Sequence, residues 1–506
     1  MSRINTNVSS LTAQRVLGQN NKSLGTSLER LSTGLRITRG KDDPAGLIAS
    51  ENLRSEKAGI NAAIKNSERA DQVVNIAEGG LQEVSSLLVE LQGLLTTSAN
   101  GAGLAESEKE ANQLQIDSIL QTIDRVAGAT SFQGTKLLNG NYDYQVNSVA
   151  SSVTDFEVKG AKFDTATQAV GAVVTQSAQQ GGLVLSFGGA LDLTDGDAAF
   201  TIEVSGSLGS RELQFSSGQT ATEIATAINA VTSVTGVTAS ASVSTGVGTV
   251  ALESSKFGSN EFVKVDVVDD GGQTAGDGIY SYTGDFGDTS SISSADTLAS
   301  AAAANGIRDD GQDIGGTING LLATGNGKTL SVNSDFLDVE FTSTTAGSQT
   351  LGAVAAFTIT GGGADFQLAS QVDISGKVSL GVGDISSRKL GSTELGHLDD
   401  LASGKSFNVV DGENLDTAQE IVAAAIDKVS STRGRLGAFQ KNVVGATIRS
   451  LGVALENTTA AESVIRDADF AAETASLTRN QILVQASTNI LSLANSQPQQ
   501  VLALLG

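Results

Sequence analysis

Two stretches near opposite ends of the chain repeat apolar residues at heptad spacing. Val74, Ala77, Leu81, Val84, Leu88, Leu91 and Leu95 follow one another at alternating intervals of three and four. Leu415, Val422, Val429, Leu436 and Val443 recur every seven, with Ala418, Ala425, Thr432, Phe439 and Ala446 three residues after each. Such spacing lays a narrow apolar stripe along one side of a long helix, as a coiled-coil seam requires. Neither helix can bury its own stripe, so helices from the two ends need each other. The predicted fold class is therefore α+β: long coiled-coil-like helices from both termini form a rod, with a β-rich variable region inserted between them.

Composition agrees with slim seams rather than a thick core. Aromatic residues make up 4% of the 506-residue chain, Trp is absent and Gly numbers 58. The formal charge of −24 argues against nucleic acid or acidic lipid as a partner. The charge is uneven: Arg3, Arg15, Lys22, Arg30, Arg36 and Arg39 face Glu29 alone in the first forty residues. With no cysteine there are no disulfides, thiol nucleophiles or thiolate metal sites. Neither a signal-peptide core nor a run of membrane-spanning length occurs, so export without a cleaved signal is expected if the protein leaves the cell.

Along the chain, Leu24, Leu28, Leu31 and Leu35 continue a heptad pattern that Gly18, Gly25 and Gly34 interrupt. Each Gly costs a helix interior about 1 kcal/mol relative to Ala, so this segment is expected to be helical only when packed. Asp43-Pro44 reads as a cap and first turn of a helix running to about Ser98. A second helix, about 106–126, would bury Leu114, Ile116, Ile119, Leu120 and Ile123. Turns at Phe132-Gln-Gly134 and Leu138-Asn-Gly140 precede alternation at Tyr142, Tyr144 and Val146. Strands are predicted at 183–187, 200–204, 213–215, 262–267 and 336–341, with a short helix at about 220–232. Helical pattern returns from Leu415 to about Leu455, Asn457-Thr-Thr459 reads as a break, and Phe470, Leu477, Val484 and Leu491 repeat every seven.

Several ordered motifs resemble bacterial flagellins. They are Arg30-Leu-Ser-Thr-Gly-Leu-Arg-Ile, Lys41-Asp-Asp-Pro-Ala-Gly46, Ile123-Asp-Arg-Val with Phe132-Gln-Gly-Thr-Lys-Leu-Leu138, Leu451-Gly-Val-Ala-Leu-Glu-Asn-Thr-Thr-Ala-Ala-Glu462, and Ile465-Arg-Asp-Ala-Asp-Phe-Ala471. The stretch from Phe200 to about Val267 is similar to a small β-α-β insert of flagellins and hook-associated proteins. Gly363-Ala-Asp-Phe-Gln-Leu368 and Ser386-Ser-Arg-Lys-Leu-Gly391 also resemble family motifs.

The resemblance implies a structural, non-enzymatic subunit of the extracellular flagellar filament. Residues 1–42 and 458–506 would pair as an inner core, disordered in the monomer. Residues 43–146 and 396–457 would form an outer helical tube with a β-hairpin. Residues 147–395 would be a surface-exposed β region of two modules, the insert at about 199–268. Implied partners are further copies of the chain, a cap protein, a hook–filament junction protein and a cytosolic chaperone at the C-terminal segment; export would be unfolded, through the flagellar type III apparatus. A junction or minor filament protein, or an exported adhesin on a helical stalk, are the alternatives. No cofactor, nucleic acid or membrane insertion is implied.

One departure stands out. Many flagellins carry a patch on the first long helix that an innate immune receptor reads; here Glu90, Gln92 and Gly93 occupy it, with Glu90 where an arginine and Gly93 where an acid is expected. Loss of the arginine's charge-assisted bonds predicts weak receptor activation. His397 is the single histidine, too few for a zinc-peptidase pair, and reads as a domain-junction residue. Asp192/Asp195/Asp197, Asp266/Asp269/Asp270 and Asp309/Asp310/Asp313 match no calcium loop and read as solvated turns.

Overall fold

The computed structural model describes residues 6–100, 103–163, 165–187, 190–191, 193, 199–242, 249–272, 278–281, 296–411 and 414–505. Its long helices are α1 (Val8–Thr33), α2 (Pro44–Ser98), α3 (Glu106–Ala129), α4 (Ala221–Asn229), α5 (Leu415–Ala438), α6 (Gly445–Arg466) and α7 (Phe470–Leu505). The chain forms two compact units. One comprises Met1–Gln72, Phe366–Lys377 and Gly437–Gly506, the other Val73–Asp365 and Val378–Leu436.

In the larger unit the helical stripe is dry. Leu81, Val84, Leu88 and Leu91 on α2 are fully buried, as are Val422 and Val429 on α5. Each such side chain stabilises by about 1.5–3 kcal/mol relative to exposure. An ion pair between Arg433 Nε and Glu78 Oε1 at 2.8 Å flanks the stripe. At Gly80 a side chain has no room, because a Cβ would stand 2.7 Å from both Leu138 and Thr130. The chain after α3 makes a two-residue turn at Gln133 and Gly134, both at positive φ, joining strands Ser131–Phe132 and Thr135–Lys136.

On α3 the expected apolar face holds at Ile116, Ile119, Leu120 and Ile123 and fails at Leu114 alone. Leu114 is 70% exposed, and Gln113 takes the interior place. An amide can do so because its bonds are met: Nε2 donates to Leu401 O and Asp117 Oδ1, and Oε1 accepts from Val409 N, each at 2.9 Å. Asp117 accepts from Ser403 N at 2.9 Å, and Asp124 from Ser387 N at 2.8 Å. Three polar side chains thus clip the returning segment 387–409 onto α3.

The β region has two hydrophobic cores. An eight-stranded antiparallel sheet comprises β1 (Tyr144–Asn147), β2 (Val153–Ala161), β3 (Gln168–Gln176), β4 (Gly315–Ile318), β5 (Leu321–Asn326), β6 (Thr329–Asn333), β7 (Leu337–Ser343) and β8 (Gly352–Gly362), in the order β1-β8-β3-β4-β5-β6-β7-β2. The Tyr144 hydroxyl on β1 accepts from Ala161 N at 2.8 Å, linking the first strand to the last. Strands β1 and β8, where the chain leaves the helical part and returns, are direct neighbours, with Val146 opposite Ile359. The second core lies in the inserted module. There Phe200–Gly206, Ser210–Phe215, α4 and Phe262–Asp269 fall where alternation placed them, and Thr220 caps α4 reciprocally with Glu223.

In the smaller unit, Asp43 Oδ1 accepts from Gly46 N at 2.9 Å and Pro44 opens α2. The break expected at Asn457-Thr-Thr459 is absent: α6 runs through it to Arg466. The chain turns at Asp467, where Leu35 and Asp467 form an antiparallel bridge, Arg36 N donates to Arg466 O at 2.7 Å and Ala468 N to Gly34 O at 2.9 Å. Both helix breaks satisfy their backbone groups on each other, which neither local sequence discloses. Asp469 then caps α7 through Ala471 N and Ala472 N.

Residues Phe439–Val444 form a π-helical turn. It adds one residue to the helical repeat, so the stripe passes from Phe439 to Val444, which is fully buried, rather than to Val443, which is half-buried. Leu415, at the start of α5, is also only half-buried. Phe366 stacks on Phe439 at 5.9 Å, and Asn66 Nδ2 donates to Gln367 O at 3.3 Å, so the excursion 366–377 lies against this turn and the first half of α2.

Candidate functional site: helix faces left without a partner

Helices α1 and α7 pair along a seam of small residues. Among the described side chains the buried positions are Ser10, Ala13 and Ser27 on α1 and Ser487 and Ala494 on α7. Polar side chains fix the register: Asn7 Nδ2 donates to Ala494 O at 2.7 Å, Ser10 Oγ to Asn495 Oδ1 at 2.7 Å, Asn20 Nδ2 to Ser487 Oγ at 2.7 Å and Asn480 Nδ2 to Ser27 Oγ at 3.2 Å. The heptad residues named from sequence flank this seam instead of filling it. Leu24, Leu31, Leu35, Leu477, Val484 and Leu491 are half-buried, while Leu28 and Phe470 are exposed. Val8, Leu11, Ile482, Ile490 and Leu493 are exposed as well. A groove of about 390 Å³ between the helices is lined by Val8, Val16, Ser487 and Ile490 among others. Pro498 and the apolar tail 501–505 have side chains outside the described residues, as has Ile4.

The seam residues of α2 and α5 are spent inside their own unit. Val74 and Leu95 are 2% exposed and Leu436 1%, so that stripe offers nothing to a further partner. Outside it, Glu90 is exposed and accepts from Gln115 Nε2 at 3.2 Å, Gln92 is half-buried and Gly93 exposed. The patch thus has a carboxylate already engaged with a neighbouring amide.

His397 stands in a cleft of about 410 Å³ lined also by Asp143, Glu157, Glu340, Asp384 and Lys428. Its backbone N donates to Asp400 Oδ2 at 2.9 Å, and its Nδ1 is buried without a partner. Burial raises the Asp143 carboxyl above its usual range; the nearby charges of Glu157 and Asp384 add to this, and the Tyr144 N–H and Lys428 oppose it. The solvated turns expected of the acidic clusters hold only at Asp269 and Asp270: Asp266 lies within strand Phe262–Asp269, Asp309 and Asp310 within strand Ile307–Asp310, and Asp309 and Asp313 accept from residues distant in sequence. Asp269 and Asp270 bond Gly271 N and Gly272 N, Asp309 bonds Gly182 N, and Asp313 bonds Gly327 N and Ser259 N. Asp192, Asp195 and Asp197 lie outside the described residues. Among the described residues no three His, Asp or Glu converge to hold a metal, and no helix is long and apolar enough to cross a membrane.

The clips Gln113, Asp117 and Asp124 escaped the sequence reading. Their signal was a polar line at intervals of four and seven beside the apolar stripe of α3.

Comparison with known proteins joins these features. The bacterial flagellin N-terminal helical region matches residues 4–143, the bacterial flagellin C-terminal helical region residues 419–505 and the flagellin hook IN motif residues 199–256. The B-type flagellin of Pseudomonas aeruginosa is 30% identical over 530 aligned positions, covering 99% of each chain. The chain belongs to the bacterial flagellin family. Flagellin B of Vibrio cholerae, 28% identical over 99% of each chain, and a Salmonella choleraesuis flagellin, also 28% identical over 99% of each, are further relatives. This flagellin is a structural subunit of the flagellar filament. Its matched segments hold α1 to α3 at one end and most of α5 to α7 at the other, and the hook IN match falls in the inserted β module.

Proposed function

We propose that α1 and α7 are the polymerisation helices: loose in the free subunit, they become ordered when neighbouring copies cover their outer faces. The carrying observation is the inversion of their packing, with serine and alanine inside and Val8, Leu11, Ile482, Ile490 and Leu493 outside. Ordering a residue costs about 1–2 kcal/mol of backbone entropy, and a seam of Ser and Ala buries little apolar area to offset it. Neighbouring copies supply that area, so ordering is linked to assembly by mass action. Contacts between non-equivalent faces then propagate as an open helical polymer.

The same looseness suits export in an unfolded state through the flagellar type III apparatus. It leaves the C-terminal segment for a cytosolic chaperone before export, and calls on a cap protein to guide folding at the tip and a junction protein to seat the first copies. The Glu90, Gln92 and Gly93 patch is read as poor at engaging the immune receptor. The deciding experiment depletes the protein and examines cells by electron microscopy. Loss of long filaments and of swimming is expected; unchanged filaments would refute the proposal.

A further inference from the structure

The eight-stranded sheet segregates its charge. Strands β1, β8, β3, β4, β5 and β6, six consecutive neighbours in the sheet, contain no Asp, Glu, Lys or Arg. All the charges of the sheet fall on the last two strands: Asp155, Glu157 and Lys159 on β2, Asp338 and Glu340 on β7. A face turned to water in an antiparallel sheet ordinarily carries charged and polar side chains. Here the alternation of burial turns Ala169, Val173 and Thr175 of β3, Ala353 and Ala355 of β8, Thr317 of β4 and Leu322 of β5 outward. Backbone register aligns one row straight across four strands: Ala353 opposite Val173, Val173 opposite Thr317, Thr317 opposite Leu322. Leu322 is 85% exposed, Val173 43% and Leu351, at the head of β8, 61%.

A chain of net charge −24 has carboxylates to spare, so an uncharged, small-residue face with aliphatic groups in register is a surface fitted for contact. Its chemistry selects the partner. A basic protein finds no carboxylate on it to pair with, and a nucleic acid or acidic membrane finds no cation. A second copy of this chain brings the same charge of −24 and is repelled everywhere except where both surfaces are neutral, and it carries this neutral face itself. Flat Ala, Gly, Thr and Val surfaces also permit the roughly 10 Å approach at which two sheets stack. We propose that this face is an outer contact between neighbouring copies in the filament, additional to the helical contacts. It rests on the filament reading, since polymerisation brings the β regions of different copies together.

The absence of cysteine makes the test clean. Leu322→Cys and Val173→Cys chains are polymerised singly and as a mixture, then treated with a flexible bis-maleimide and run on a denaturing gel, with Asp155→Cys on the charged strands as control. Expected are dimers from intact filaments of the first two and not of the control, and none from dispersed subunits. A Leu322→Glu/Val173→Glu chain is expected to keep its monomer circular dichroism and to form filaments that dissociate at a lower temperature than wild type. Filaments that form normally but give no dimers, dimers equal to the control, or an unchanged dissociation temperature overturn the contact. Failure of the wild-type chain to polymerise at all would instead sink the filament reading.

Discussion

Replacing Ile482 by Asn separates assembly from folding. In the single copy Ile482 is 62% exposed, so little of its side chain is engaged and the folded subunit should lose no more than about 0.5 kcal/mol. If a neighbouring copy covers the rest, the substitution removes what full burial of an isoleucine contributes beyond its present state. That is 62% of about 1.5–3 kcal/mol, or about 1–2 kcal/mol per added subunit. At about 1.4 kcal/mol per tenfold, the concentration of free subunit left beside growing filaments should rise about 5- to 30-fold. The assay is seeded elongation followed by sedimentation, measuring free subunit at steady state, with thermal circular dichroism of the monomer alongside. An unchanged free-subunit concentration would refute the claim that this face is covered in the polymer. A matching fall in monomer stability would show that the residue works within one copy.

Three further outcomes are expected. Leu88→Ala empties a fully buried place on the α2 stripe and should cost about 2–5 kcal/mol in urea unfolding of the larger unit. Asp143→Asn should raise the urea midpoint at pH 7: burial lifts the folded carboxyl above its unfolded value of 3.8, so ionisation opposes folding at neutral pH. That opposition fades as pH falls through the folded value, and the gain should vanish below 3.8. A gain equal at both pH values would refute the burial argument. Wild-type protein is expected to activate a cell-based innate-receptor reporter weakly and Glu90→Arg more strongly; full wild-type potency would refute the reading of this patch.

The sequence disclosed what repeats and missed what compensates. Heptads located α2 and α5 because a buried stripe has to recur, and alternation located the strands at Phe200 and Phe262 for the same reason. Gln113 displaced Leu114 because partners distant in sequence, at Leu401 and Val409, satisfy its amide. The π turn moved the stripe from Val443 to Val444, a slip that periodicity cannot register because it changes the period itself. The end of α6 lay nine residues beyond the Asn457 expected from local composition, since what stops the helix is Gly34 and Leu35 across the break. Between α1 and α7, leucine and phenylalanine heptads pointed to a seam that serine and alanine fill. The rule that large apolar residues face inward presumes one chain, and it gave way on the faces proposed above to meet further copies.

Because β1 and β8 lie side by side, the polypeptide sets out on its long excursion and comes home at a single doorstep. Whatever is threaded between them need only close a loop whose ends already touch, and lengthening such a loop costs about 0.6 kcal/mol per doubling. Ornament of almost any size can therefore be exchanged there without disturbing the helices. A swimming cell could change its outward appearance and leave its propeller shaft untouched.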